Sequence, residues 1–187
     1  MEQKSYINEN EKMVLIEQLT KTEMHVRRLS KVTNINHMTV SRKLKELSYE
    51  NVVDFREEGK NKVYFLKETN ETRSYVLMLE NYKLMRTLKK YPNLRKIVET
   101  IQKDKRAGMS IIFGSYAKGT VKKDSDIDIY MESADRKLKS DLEMTDSRVS
   151  IKMGRYDPGN PLMQEIEKNH VIIKGTEEFY EKNRIFK

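Results

Sequence analysis

Two short apolar segments, separated by a polar stretch, constrain the fold of this chain more than any other feature. Residues 109–113 are mostly apolar and end in Gly114-Ser115, and residues 125–131 alternate acids with apolar residues. Each segment has the length and the boundaries of a buried strand. Asp126 and Asp128 are two positions apart, so on a strand both carboxylates leave the same face. The pattern therefore predicts two strands that meet near a glycine turn and an acidic pair.

The residues at the end of the first strand are typical of an anion-binding turn. After Gly114-Ser115 the chain is expected to start a helix, whose first N–H groups and Ser115 hydroxyl would face an anion such as a phosphate. Two adjacent carboxylates repel each other unless a cation lies between them, and Mg²⁺ prefers such oxygen ligands. A phosphate site beside a divalent-metal site is typical of phosphoryl or nucleotidyl transfer.

The spacing of these residues resembles that of a known family. The order is apolar residues, Gly-Ser, ten residues, and then Asp-apolar-Asp-apolar. It is similar to that of the minimal nucleotidyltransferases of the DNA polymerase β-like superfamily, over roughly residues 94–175. Gly114, Ser115, Asp126 and Asp128 fall on the matching positions, with Lys118 and Ser125 at common accessory positions. The alternative is an ordinary turn followed by a strand whose aspartates are only solvated.

The resemblance implies a mixed β-sheet flanked by helices, and a set of site residues. Asp126 and Asp128 would be the catalytic residues and would bind Mg²⁺ or Mn²⁺. Nucleotide contacts would come from Gly114, Ser115, Lys118 and Ser125. The implied substrate or ligand is an NTP, with ATP favoured.

One part of the family pattern is missing from this sequence. Members of the family carry a third carboxylate on a neighbouring strand, which helps to activate the attacking hydroxyl. The next strand candidate, residues 148–153, presents Arg148, Ser150 and Lys152 on its polar face. Four nearby acids are candidates for recruitment from loops: Asp141, Glu143, Asp146 and Asp157. Without a third acid, metal and nucleotide binding would survive while general-base catalysis would be weakened.

Length, composition and charge bound the class of protein. The 187 residues have room for one large or two small domains. No apolar run approaches a membrane span, and the first residues lack a signal-peptide core, so we expect a cytoplasmic protein without membrane contact. The absence of cysteine excludes disulfides, thiolate zinc sites and cysteine nucleophiles. A formal net charge of +8 favours a polyanionic partner.

The first 50 residues predict three helices. Residues 9–20 give the first, and Thr22 is placed to N-cap the second. A short polar turn follows, after which Asn36 can N-cap a third helix that runs from His37 to about Ser48. Two short helices joined by a tight turn predict a helix-turn-helix. In the third helix we expect Val40, Leu44 and Leu47 to face inward, and Thr39, Arg42, Lys43 and Glu46 to face outward.

A basic hairpin is predicted directly after the third helix. Residues 52–56 and 62–66 have the pattern of two strands around a turn at Gly59. The combination resembles the winged-helix domains of bacterial and archaeal transcription regulators, over about residues 8–68. This resemblance implies a double-stranded DNA partner, and a winged helix used only for protein contacts is the alternative. The residues expected nearest the bases are His37, Thr39, Ser41 and Arg42, and those expected to meet phosphates are Lys43, Lys45, Lys60 and Lys62.

A long helix is predicted over residues 71–90, with an apolar band too wide for the small first domain to cover. The band either packs on the second domain or forms a homodimer, which would place two winged helices on one duplex. Pro92 marks the start of the next helix. We therefore predict an α+β chain with a winged helix-turn-helix at 1–70, a connecting or dimerisation helix at 71–91, and a nucleotidyltransferase-like domain at 92–187.

The sequence leaves three functions open. The first is a nucleotidyltransferase that moves a nucleoside monophosphate from Mg·NTP to a hydroxyl acceptor. The second is a DNA-binding regulator whose nucleotidyltransferase-like domain is catalytically degenerate and acts as a nucleotide sensor or scaffold. The third is an antitoxin-like protein that binds its own operator and modifies or masks a toxin.

Overall fold

The chain folds into two compact units, each with its own β-sheet. The structure is a computed structural model that describes the backbone of residues 3–183 and the side chains of residues 11–183. The first unit ends at Leu79 and the second begins at Glu80. One sheet has three strands and the other has four, and helices accompany both. The predicted α+β class is therefore confirmed.

The first unit contains three helices and a hairpin. Its elements are α1 (Gln3–Leu19), β1 (Met24–His25), α2 (Val26–Thr33), α3 (His37–Tyr49), β2 (Val53–Glu58) and β3 (Asn61–Leu66). The strands are antiparallel and lie in the order β1-β3-β2. Apolar residues of every helix are buried in this unit, among them Ile16 of α1, Leu29 of α2 and Leu44 of α3.

The boundaries of α2 and α3 follow from their capping residues. Asn36 caps α3 as predicted, because its side chain accepts a hydrogen bond from the Met38 backbone N–H at 2.8 Å. The expectation for Thr22 is wrong. It precedes β1, and the N-cap of α2 is His25, whose Nδ1 accepts from the Arg28 N–H at 3.1 Å. Strand β1 escapes sequence analysis because two residues are too few to show a period.

Helix α4 (Asn70–Lys90) runs from the first unit into the second. A short 3₁₀ turn and the remaining helices and strands follow. They are α5 (Arg95–Lys103), β4 (Ser110–Ile112), α6 (Gly114–Lys118), β5 (Ile127–Met131), α7 (Arg136–Glu143), β6 (Val149–Met153), α8 (Pro161–Lys168), β7 (Val171–Lys174) and α9 (Thr176–Lys182). The sequence pattern does not anticipate α7 or α9, which are both short.

The four-stranded sheet of the second unit is mixed, in the order β6-β5-β4-β7. Strands β5 and β6 are parallel, while β4 is antiparallel to both β5 and β7. One face of β5, with Ile127 and Ile129, packs in the core together with apolar residues of α5 and α7, such as Ile101 and Leu138. Residue 128 consequently points to the other face. No helix within the described part of the chain is both long and apolar enough to cross a membrane.

Candidate functional site

The acidic pair lies at the beginning of β5, in the middle of the sheet of the second unit. Asp126 directly precedes the strand and is exposed, and Asp128 is half-buried between the buried residues Ile127 and Ile129. The Phe113 N–H donates to the Asp128 carbonyl oxygen at 3.0 Å. This bond brings the turn after β4 against the start of β5, so the two halves of the sequence motif are adjacent in space.

Gly114 fits this junction because the Asp128 side chain fills the space beside its Cα. A Cβ at position 114 would lie 2.5 Å from Asp128 Oδ2, which is closer than any real Cβ contact. The backbone also has φ +66° there, in the left-handed region that favours glycine. Because glycine has no side chain, the backbone at Gly114 can approach the Asp128 carboxylate closely.

The electrostatics of Asp128 favour a cation beside it. Burial raises the pKa of Asp128, and the negative charges of Asp126 and Glu165 raise it further, while the positive charge of Lys152 opposes the rise. A divalent cation at the pair would remove the repulsion, and carboxylate oxygens are suitable ligands for Mg²⁺ or Mn²⁺. The residues present therefore fit such an ion. Within residues 11–183, however, no group of three or more His, Asp or Glu side chains is arranged to hold a metal.

Three of the four predicted nucleotide contacts, Gly114, Ser115 and Lys118, belong to the short helix that follows β4. Ser115 is the second residue of α6, and Lys118 is its last. The Lys118 ammonium donates to Glu165 Oε1 at 2.6 Å, and both side chains are roughly half-exposed. Ser125 holds the polar turn before β5, since its hydroxyl oxygen accepts from the Lys122 N–H at 2.8 Å.

Glu165 is the residue that sequence analysis missed at this site. It lies on α8, and its negative charge raises the pKa of Asp128, although the two residues are far apart in the sequence. The local pattern carries no signal for it, because an exposed glutamate on a short amphipathic helix is ordinary.

The four acids considered as replacements for the third carboxylate are engaged elsewhere. Asp141 pairs with Arg106, Glu143 accepts from the Ile151 N–H, Asp146 pairs with Arg148, and Asp157 accepts from the Gly159 N–H. The polar face of β6 is the one that the sequence predicts. Ser150 lies in register with Asp128, and Lys152 follows on the same face. No acid of β6 therefore accompanies the aspartate pair.

The outer surface of α3 carries most of the predicted DNA contacts. His37, Arg42 and Lys45 are exposed, and Thr39 and Ser41 are half-buried. Arg42 is paired with Glu46 of the next turn at 3.2 Å. Two residues on this surface were not anticipated: Met38 is 76% exposed and Tyr49 is 94% exposed.

The prediction that Lys43 faces outward is wrong. Its side chain is buried, and its ammonium donates to Glu46 Oε2 at 2.8 Å. The reason is helical spacing: position 43 lies on the same face as Val40, Leu44 and Leu47, which are all fully buried. The aliphatic stem packs along this apolar face while the charged end reaches a carboxylate.

The hairpin presents two of the predicted cations. Lys60 lies in the two-residue turn with Gly59 and is exposed, and the Lys62 ammonium lies 3.8 Å from the centre of the Phe55 ring. Arg56 does not contribute free positive charge, because its guanidinium pairs with Glu23 and Glu58. The basic surface of the hairpin is therefore limited to the tip and the lysine beside it.

Most of the second unit is similar to a known protein family. Residues 95–183 match the family model "Polymerase beta, Nucleotidyltransferase". This segment includes the whole four-stranded sheet and the aspartate pair. No curated protein matches the chain.

Two solved structures are similar to parts of the chain. One is the homodimeric winged helix-turn-helix DNA-binding domain of a possible ArsR-family transcriptional regulator from Mycobacterium bovis, with 23% identity, a TM-score of 0.35 and coverage of 37% of this chain. The present chain spans 64% of the length of that structure. The other is a toxin-antitoxin with AMP-PNP, with 24% identity, a TM-score of 0.35 and coverage of 57% of this chain and 84% of the other. Similarity at this level carries no conclusion about the activity of the present chain.

Proposed function

We propose that the second unit binds a complex of Mg²⁺ and an NTP and transfers the nucleoside monophosphate to an acceptor, with release of pyrophosphate. The observation that carries this proposal is the junction of Gly114 with Asp128, where a backbone turn without a side chain meets a half-buried carboxylate. The match of residues 95–183 to a nucleotidyltransferase family supports the same reaction class.

Each residue of the site has a role in this proposal. Asp126 and Asp128 would hold Mg²⁺ or Mn²⁺. The bound ion supplies positive charge that stabilises the phosphoryl oxygens during transfer. The phosphates contact the backbone of Gly114 and Ser115 and the side chains of Lys118 and Ser125. ATP is the favoured nucleotide.

Lys118 can turn to a phosphate without a large loss of stability. Its ion pair with Glu165 is roughly half-exposed, and such surface pairs contribute about 0–1 kcal/mol. A triphosphate offers the ammonium a higher negative charge than one carboxylate does. We therefore assign to Glu165 the role of holding Lys118 in place before the nucleotide binds.

Calorimetric titration of Mg·ATP and the other three NTPs into the protein tests the nucleotide site. The double variant Asp126→Asn, Asp128→Asn should lose metal-dependent binding, with affinity falling by about tenfold or more because two charged ligands are removed. Asp124→Asn is the matched control, since Asp124 is an exposed acid of the preceding turn. Unchanged affinity in the double variant, or no heat with the wild-type protein, would exclude the proposed site.

A second function, binding of double-stranded DNA, is proposed for the first unit. The observation that favours it is the stripe of α3 formed by His37, Ser41, Lys45 and Tyr49 at four-residue spacing, beside Arg42, in which every residue except the half-buried Ser41 is exposed. Such a stripe has the width that a recognition helix presents to the major groove. In this proposal Thr39 also lies near the bases, and Lys60 and Lys62 meet phosphates.

Fluorescence anisotropy with labelled duplexes selected from a random pool tests DNA binding. Arg42→Ala should lower the affinity for the selected site by about 1–3 kcal/mol if its guanidinium contacts a base. Equal affinity of the wild type and this variant for every duplex would contradict the base-contact role.

The alternatives differ in what the nucleotide does. If the second unit is a nucleotide sensor or scaffold, Mg·NTP binds without release of pyrophosphate, and bound NTP changes the affinity for DNA. An antitoxin-like protein would instead act on, or mask, a toxin.

A homodimer through α4 is also part of the proposal. Two apolar side chains of this helix, Met78 and Met85, are 48% and 62% exposed. Sedimentation equilibrium measures the oligomeric state.

A further inference from the structure

The strands on either side of β5 give the aspartate pair two chemically different sides. On one side is β4, which leads into Gly114, Ser115 and Lys118, and on the other side is β6. Under the proposed function, the β- and γ-phosphates of the nucleotide lie on the β4 side. The attacking and leaving oxygens of a phosphoryl transfer lie roughly in line through the phosphorus atom. The acceptor must therefore approach from the β6 side.

The β6 side presents a hydroxyl and an ammonium group instead of a base. Ser150 is in register with Asp128, and Lys152 follows it on the same face. Lys152 is exposed, and no carboxylate among the described residues forms an ion pair with it. Its positive charge nevertheless acts on Asp128. The third polar residue of this side, Arg148, is already bound by Asp146 at 2.7 Å.

Glu165, the remaining acid near the pair, lies on the wrong side to activate the acceptor. Its carboxylate is bound by Lys118 of α6, which follows β4. Helix α8 is followed by β7, which is the edge strand next to β4, at the opposite edge of the sheet from β6. Glu165 is thus on the side of the leaving pyrophosphate.

From this arrangement we infer that the acceptor is a phosphate group, free or in a monoester, and that Lys152 and Ser150 bind it. The inference rests on the proposed function and names the substrate class of the same site. An alcohol keeps its proton at neutral pH and requires a base to remove it. A phosphate monoester carries about −1.5 to −2 charges at pH 7, so its attacking oxygen is already ionised.

The transfer step balances without a base. A non-bridging oxygen of the acceptor phosphate forms a bond to the α-phosphorus of the NTP. The bond between that phosphorus and the oxygen bridging to the β-phosphorus breaks, and its electron pair leaves with pyrophosphate. No proton has to leave the attacking oxygen. The product is a phosphoanhydride, which is a nucleoside diphosphate when the acceptor is inorganic phosphate.

Incubation of the protein with Mg·ATP and ³²P-labelled inorganic phosphate tests the inference. The expected product is ADP labelled in its β-phosphate, which an ordinary ATPase does not form. A second arm uses α-labelled ATP with glycerol 3-phosphate as the monoester and glycerol as the matched alcohol. Labelled product with phosphate alone indicates the free ion, product with glycerol 3-phosphate indicates a monoester, and product with glycerol alone overturns the inference.

Variants of β6 link the transfer to the proposed residues. Lys152→Met should lower the transfer to phosphate by about tenfold or more, the loss expected for one charge-assisted contact. Lys96→Met removes an exposed lysine of α5 and is the matched control. Ser150→Asp places a carboxylate in register with Asp128, so transfer to phosphate should fall and transfer to glycerol should rise. Equal rates in the wild type and Lys152→Met would contradict the role of Lys152.

A binding measurement separates this inference from the proposed function. Inorganic phosphate is titrated into protein saturated with Mg²⁺ and α,β-methylene-ATP, which cannot be cleaved at the reacting bond. The Kd for phosphate should be about tenfold higher in Lys152→Met than in the wild type. If NTPs bind but phosphate neither accepts the nucleotide nor binds through Lys152, the inference alone fails. If NTPs do not bind at all, the proposed function fails with it.

Discussion

The Oδ2 atom of Asp128 lies 2.5 Å from the position that a Cβ atom at Gly114 would occupy. This relationship joins two segments that are separated in the sequence by a polar turn. It makes the backbone after β4 and the carboxylate of β5 parts of one site. A side chain at either position that changes the fit should therefore affect both folding and nucleotide binding.

Gly114→Ala should lower the free energy of unfolding of the second unit by about 1–3 kcal/mol, because an alanine is strained at this positive φ and its methyl group displaces Asp128. The affinity for Mg·ATP should fall as well, since the displaced carboxylate is a proposed metal ligand. Urea denaturation and calorimetry measure the two effects. Gly154→Ala is the control, because a Cβ there meets no atom within 4 Å and its φ is ordinary.

Lys118→Met should weaken Mg·ATP binding, while Glu165→Gln should leave it unchanged or strengthen it. The reason is that the second variant releases Lys118 and removes a negative charge near the site. Both variants should change the free energy of unfolding by less than about 1 kcal/mol, since the pair is roughly half-exposed. Titration calorimetry at one ionic strength provides the comparison. A loss of ATP affinity in Glu165→Gln as large as that in Lys118→Met would instead make Glu165 a direct ligand.

Lys45→Met and Lys43→Met should affect DNA binding differently although the residues are close in sequence. Lys45 is exposed and is proposed to meet a phosphate, so its loss should reduce the slope of log affinity against log salt concentration by about 1. Lys43 is buried against Glu46, so Lys43→Met should leave that slope unchanged. Anisotropy titrations with a random-sequence duplex over a range of salt concentrations give both slopes. Equal slopes in all three proteins would rule out the phosphate contact of Lys45.

Acid should destabilise the second unit through Glu80. This residue is 1% exposed, and its Oε1 accepts from Tyr180 Oη at 2.6 Å and from Lys83 Nζ at 2.9 Å, with His170 Nε2 at 3.4 Å. Burial alone would raise the pKa of Glu80, but the hydrogen bond from His170, the positive charges of Lys83 and His170, and the bond from Tyr180 together lower it from 4.5 to about 2.

The sign of the effect follows from the lower pKa in the folded state. As the pH falls, the Glu80 carboxylate takes up a proton in the unfolded chain at a higher pH than in the folded protein. The stabilisation by ionised Glu80 is therefore complete above about pH 5 and is lost as the pH falls toward 2. The loss amounts to about 3 kcal/mol over that window. Denaturant unfolding at successive pH values measures it. Glu80→Gln should flatten the dependence, whereas Glu99→Gln, at an exposed position of the same unit, should leave most of it.

Local patterns in the sequence were sufficient for the elements that carry the candidate site. The apolar segment before Gly114 and the alternation around Asp128 predict β4 and β5, because strand residues alternate between a buried and an open face. Asn36 predicts the start of α3 because a capping side chain acts on N–H groups only two residues away. Such signals depend on neighbours in the chain and are therefore visible without a structure.

Short elements were harder to predict for the same reason. Strand β1 has two residues, and α7 has only two apolar residues, Leu138 and Leu142, so neither shows a clear repeat of apolar positions. The N-cap of α2 is His25 and not Thr22, because β1 lies between Thr22 and the start of the helix. Lys43 is buried because its position on the apolar face of α3 sets its direction, although its charge alone favours solvent.

By itself, the sequence determined the two folding units' main helices and strands, the aspartate pair and the acid-free polar face of β6. Only the tertiary structure decided which of the distant acids come near the pair. It brings the negative charge of Glu165 of α8 within electrostatic range of Asp128 and ties Asp141, Glu143, Asp146 and Asp157 to partners elsewhere. The physical reason is that the order and direction of strands in a sheet, which no local pattern encodes, set the distances between residues remote in sequence.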